Sequence, residues 1–112
     1  MSLADKIAES RKLTAEVGDI KLYFRRATVE EYVKYCDTGI TNAEVARYHI
    51  TGWDGVKESD IVDGGSNEKI PFDKKIFCDI IGDRPEWYSA IILNIADYAK
   101  KRIQEMSANE KK

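Results

Sequence analysis

Along the chain the spacing of apolar positions changes several times. Ile20, Leu22 and Phe24 alternate with Lys21, Tyr23 and Arg25, the period of a strand with one buried face. Gly18-Asp19 just before them suits a two-residue turn with glycine at the position needing positive φ. Together with Leu13 to Val17 this predicts a β-hairpin over about residues 13–25. Its apolar face must lean on helices, because an isolated hairpin is marginal in water.

Next comes a threonine three residues ahead of a glutamate, Thr28-Val29-Glu30-Glu31, the pattern of a capping box. Val29, Tyr32, Val33 and Cys36 then follow at helical spacing, so a helix over about 28–37 with that face inward is expected, ended by Gly39. Thr41-Asn42-Ala43-Glu44 repeats the box, and Ala43, Ala46 and Ile50 predict a second helix over about 42–51. The pattern then dissolves. Gly52, Gly55, Gly64 and Gly65 fall among acidic and small polar residues, which predicts a long functional or mobile loop over 52–70. Asp73 precedes Ile76, Phe77, Ile80 and Ile81, a helix over about 73–81. With Asp83 as cap and Pro85 in the first turn, the longest helix should run over about 84–106, carrying Tyr88, Ile91, Ile92, Ile95, Ala99 and Ile103. Leu3 to Lys12 has helical composition but few apolar residues and predicts a short or frayed helix, while 107–112 should be a disordered tail. The fold class is therefore α+β: mainly α, with about four helices, the longest at the C-terminus, and a small N-terminal hairpin.

The chain has 112 residues, enough for one domain with a core of its own. Eighteen basic residues against twenty acidic ones leave a net charge of −2, so a broadly basic nucleic-acid surface is not expected. No apolar run approaches the roughly 18 residues of a membrane span, and the N-terminus lacks a signal-peptide layout, so a soluble intracellular protein is expected. Cys36 and Cys78 both sit among apolar residues and read as buried free thiols. With a single histidine, His49, and no CxxC, a zinc site is not expected.

Chemistry is sparse. There is no GxSxG, Walker loop or GxGxxG, and nothing marks a nucleophile to partner His49, which reads as a packing residue. The acidic stretch from Asp54 to Asp63 fails the EF-hand pattern, because counting from Asp54 the third position is Val56 and the twelfth is Gly65. No catalytic residue, metal or cofactor is expected. Residues 28–51 resemble a helix-turn-helix, with Arg47, Asn42 and His49 as donors on the second helix. Flanking cations are few, and an ordinary helical corner is the favoured reading. Arg25-Arg26 reads either as a small anion-docking patch or as charge that keeps a hairpin end soluble. Six tyrosines in so short a chain suit either an interface or the boundary layer of a small core.

Three short stretches are distinctive together: Arg25-Arg26-Ala27-Thr28 leaving a strand for a helix, Gly52-Trp53-Asp54-Gly55-Val56, and Ile70-Pro71-Phe72 ahead of the last helices. In these, over about residues 20–99, the chain resembles the tail assembly chaperones of long-tailed bacteriophages and prophages. It departs in a longer loop between Trp53 and Pro71, and in Ala27, where proline often precedes the first helix. The resemblance implies a non-enzymatic protein of the bacterial host cytoplasm, absent from the mature virion, that binds the tape measure protein and helps recruit tail tube protein. Trp53, Gly55, Val56, Pro71 and Phe72 then form a structural motif in which the two aromatic rings close the loop. Coating a rod-like partner implies head-to-tail self-association, with partner contacts expected at Tyr23, Arg25, Arg26, Trp87 and Tyr98. Trp87 and Tyr98 are placed off the main stripe of the long helix.

Overall fold

The computed structural model describes residues 1–110. In chain order they form α1 (Leu3–Ser10), β1 (Lys12–Val17), β2 (Ile20–Arg25), α2 (Val29–Thr38), α3 (Asn42–His49), β3 (Ile50–Asp54), α4 (Glu58–Ile61) and α5 (Lys74–Ile80). A 3-10 turn (Ile81–Asp83) and α6 (Pro85–Glu110) follow. The class is α+β: a three-stranded antiparallel sheet in the order β1-β2-β3, with helices packed on one face.

Most local signals act as read. Val17 pairs with Ile20 across the Gly18-Asp19 turn, and Gly18 has φ +59°. The Thr28 box is complete: the hydroxyl accepts from the Glu31 N–H at 3.1 Å, and Glu31 Oε1 accepts from the Thr28 N–H at 2.9 Å. Gly39 closes α2 at φ +69°. Asp73 Oδ1 accepts from the N–H groups of Lys75 and Ile76.

The 42–51 helix stops at His49, because Ile50 turns extended and begins a third strand. Phe24 pairs with Ile50 and Tyr23 with Gly52, so Thr51 is the extra residue of a bulge. That insertion lets Ile50 and Trp53, three positions apart, both face the core, where strict alternation would put them on opposite faces. The expected second box at Thr41 is half made: Thr41 caps the Glu44 N–H, while the Glu44 carboxylate pairs with Arg47. Asp83 lies in the 3-10 turn rather than capping α6; the Arg84 carbonyl accepts the first bonds of that helix.

The 52–70 segment is ordered. Lys57 bridges Lys69, Ser59 N–H donates to the Ser66 carbonyl at 2.9 Å, and the excursion holds the single turn α4. Arg84 ties it down by donating to the Asp60 and Ile61 carbonyls. At the other end of the chain α6 continues through the expected tail to Glu110, while Lys111 and Lys112 lie outside the described residues. No described helix is long and apolar enough to cross a membrane.

The core lies between the inner sheet face (Ala15, Leu22, Phe24, Ile50) and the helices that carry Val45, Ala46, Phe77, Ile91 and Ile95. Two expectations about this boundary fail. Trp87 is only 3% exposed, its ring stacked on Phe77 at 6.5 Å, so it closes the core and is no partner surface. On α2, Val33 and Cys36 face solvent, and the helix has no buried residue at all. Cys78 is half-buried, and both thiols are free.

Candidate functional site

The corner made by α2, Gly39 and α3 gathers the unusual surface chemistry. With no buried residue, α2 is held by polar contacts at its start and by the flanks of its aromatic side chains. Glu31, in its first turn, accepts from both terminal nitrogens of Arg25 at 2.9 and 3.2 Å, a two-pronged ion pair with the end of β2. Hydrogen bonding from Arg25 is the main reason the Glu31 carboxyl titrates at about 2; the Thr28 N–H adds to it. The same pairing raises the Arg25 pKa.

Behind that pair lies His49, 1% exposed at the end of α3. Its Nδ1 is 2.7 Å from the Arg25 carbonyl oxygen, which only accepts, so Nδ1 carries the proton. Nε2 then accepts from the Tyr35 hydroxyl at 2.8 Å. Burial pushes the His49 pKa down and the Arg25 charge adds to it, against the opposing pull of the bond to the Arg25 carbonyl and of the Glu31 charge. Burial raises that of Tyr35. The imidazole is thus a neutral strut that joins the end of β2 to α3 and α2, with both nitrogens engaged. It has no free nitrogen to serve as a base.

On the outer side of this strut is an open groove of about 380 Å³, lined by Glu31, Lys34, Tyr35, Thr38, Ile40 and Tyr48 among others. A second hollow of about 240 Å³ lies on the other flank of Tyr35 and Ile40, between Tyr32, Cys36, Val45 and the α6 residues Ile92 and Ile95. Tyr48 is 65% exposed and Val33 45%, so the corner presents apolar side chains that the chain itself leaves uncovered. Sequence reading missed Ile40 and the groove, and took Tyr48 only as one of six tyrosines that suit an interface or a boundary layer. The one available signal was Ile40 and Tyr48, apolar positions outside the helical stripes.

The structure separates the residues singled out in the sequence. Trp53 and Phe72 do meet, edge to face with centroids 5.1 Å apart, and Trp53 Nε1–H donates to the Ile70 carbonyl at 3.0 Å. Ile70 N–H in turn donates to the Val56 carbonyl, closing the 57–69 excursion at its base. Gly55 is required there: its φ is +79° and a Cβ would fall 2.5 Å from the Asp19 carbonyl oxygen. Pro71 is exposed beside this clasp. Tyr23 lies apart, partly exposed on the outer sheet face against Gly52. The two adjacent arginines split: Arg25 serves α2, while the Arg26 guanidinium lies 4.2 Å from the centre of the Tyr98 ring on α6.

As a DNA reader the corner is poorly equipped. Arg47 Nε donates to the Cys78 carbonyl at 2.9 Å and Nη1 pairs with Glu44, so the principal cation of α3 is engaged within the protein. His49 is buried. Among the described residues no cluster of metal-ligating side chains occurs.

No protein-family model, curated protein or solved structure matches this chain.

Proposed function

We propose that the chain is a non-enzymatic tail assembly chaperone of a long-tailed phage or prophage, binding an amphipathic helical segment of the tape measure protein and aiding tail tube assembly. The observation that carries this reading is the open groove of the α2–α3 corner, lined by the apolar Ile40, Tyr35 and Tyr48 together with the charged Glu31, Lys34 and Glu44. An apolar floor with a charged rim is the chemistry that receives one face of an amphipathic helix. The stretches that resemble the family have a supporting role here: the Trp53–Phe72 clasp and the Arg25–Glu31 pair hold the frame on which the corner is mounted. Repetition along a rod-like partner would use the Tyr23 face and the exposed end of α6. On this reading the protein works in the host cytoplasm and is absent from the finished virion.

Co-expression with the tape measure protein encoded in the same genome tests the proposal. The tape measure should become soluble and co-elute with the chain, and Ile40→Asp with Tyr48→Asp should abolish that effect. Aggregation of the tape measure regardless of the chain would overturn the reading. Binding to duplex DNA that falls steeply with salt would favour the helix-turn-helix alternative instead.

A further inference from the structure

Beyond Ala99 the helix α6 leaves the frame. Ala99 is fully buried, whereas residues 100–107 are all exposed. Ile103 and Met106 continue the stripe of Ile92, Ile95 and Ala99 at helical spacing, so an apolar edge runs out into solvent. Lys100 and Arg102 stand at the positions that flank this edge. Among the described residues Lys100 and Lys101 enter no ion pair. The α2–α3 corner has the opposite sign. Its open groove holds Tyr35, Ile40 and Tyr48, and Glu30, Lys34 and Asp37 form an exposed row along α2. Neither Glu30 nor Asp37 has an ion pair among the described residues, while Glu31 and Glu44 are engaged by Arg25 and Arg47. The two surfaces cannot meet within one chain. α6 is a single helix from Pro85 to Glu110, its middle residues Ile92, Ile95 and Ala96 border the inner hollow, and no α6 residue lines the outer groove.

We propose that they meet between copies: the distal turns of α6 of one chain seat in the α2–α3 groove of the next, with Ile103 and Met106 against Tyr35, Ile40 and Tyr48 and the α6 lysines towards Glu30 and Asp37. An amphipathic helix laid in an open groove is a recurring mode of recognition, and opposite charges beside it fix orientation and partner choice. A second copy is the occupant because this chain supplies both the groove and an uncovered helix of matching shape and opposite charge. Each copy offers two different patches, so the contact is heterologous and need not close at two. About three turns of one helix cover well under the ~1,600 Å² of a typical stable interface, so the association is weak and depends on concentration. The inference rests on the reading of the groove as a receiver of amphipathic helices and adds its regulation: a neighbour's α6 covers the groove until the tape measure segment displaces it.

Sedimentation of the full chain alone, at concentrations rising to about 1 mM, provides the test. The average mass should climb past that of a dimer, and added salt should lower it. Ile40→Asp and Ile103→Asp, each at an exposed position, should each weaken the association by about tenfold or more. Mixing those two variants leaves one intact groove and one intact α6 end, so the mixture should form a pair that goes no further. Side-chain signals of the wild type that move with concentration at Ile40, Tyr48, Ile103 and Met106 give the same answer if a variant fails to fold. A mass that stays monomeric throughout would overturn the inference, as would association that both folded variants retain or a mixture that remains monomeric. A monomeric chain that still keeps the tape measure soluble would sink this contact and leave the chaperone reading standing; a self-associating chain beside an aggregated tape measure would do the reverse.

Discussion

Gly55 is the position least tolerant of any side chain. It combines φ +79° with a Cβ position 2.5 Å from the Asp19 carbonyl oxygen, so Gly55→Ala meets both backbone strain and a rigid clash. The strain alone costs about 1–3 kcal/mol, and denaturant unfolding should show a loss at or above the top of that range. Trp53 combines 7% exposure with the Phe72 contact and the bond to Ile70, and Trp53→Ala should cost about 3–5 kcal/mol. An unfolding midpoint unchanged by that substitution would mean the indole is not part of the core. Cysteine shows the limit of reading burial from neighbours: Cys36 shares a helical stripe with Tyr32, yet nothing packs over its end of α2 and the thiol faces water.

The helix α2 is the element most exposed to conditions, because none of its residues is fully buried and polar contacts hold its base. Both titrating groups at its base have depressed values, so each contributes stability above its unfolded pKa and loses it as pH falls. For His49 the loss begins below about 6.5, where the unfolded chain takes up a proton that the buried ring resists. For Glu31 it runs from near 4.5 down to about 2, as the carboxylate facing Arg25 is protonated. Hydrogen-exchange protection along α2, taken relative to the unfolded-chain rate at each pH, should therefore fall in acid before that of α6. Glu31→Gln should remove the lower-pH part of this response and leave the His49 part. Uniform exchange of α2 and α6 across the range would refute the polar-clasp account. Thr28→Ala should cost about 1 kcal/mol through loss of the cap, with the largest effect again in α2.

The molecule as a whole divides into a packed frame and two surfaces left open. The frame is the sheet with α3, α5 and the first half of α6; the open surfaces are the α2–α3 groove and the end of α6. Residues 100–107 are all exposed, so removal of the chain from Ser107 onward should leave the unfolding midpoint within the small range of surface changes, about 0.5 kcal/mol. Ile40→Asp and Tyr48→Asp should likewise leave folding intact, since both side chains are already solvated, while changing whatever the groove receives. A large loss of stability in either variant would make the groove part of the frame.

What was legible in the chain is what a few neighbouring residues determine: the Gly18-Asp19 turn, the Thr28 box, the Gly39 stop, the Asp73 cap and the long α6. Each depends on hydrogen bonds or φ values closed within about four positions, so the pattern carries its own cause. The third strand was not legible, because Ile50 to Asp54 is extended only through pairing with β2, and the bulge at Thr51 erases the alternation that would reveal it. For the same reason the sequence could not divide Arg25 from Arg26, bury Trp87 or uncover Val33. Those outcomes depend on which element arrives from far along the chain to cover a side chain, and here α5 covers Trp87 while nothing covers the outer face of α2.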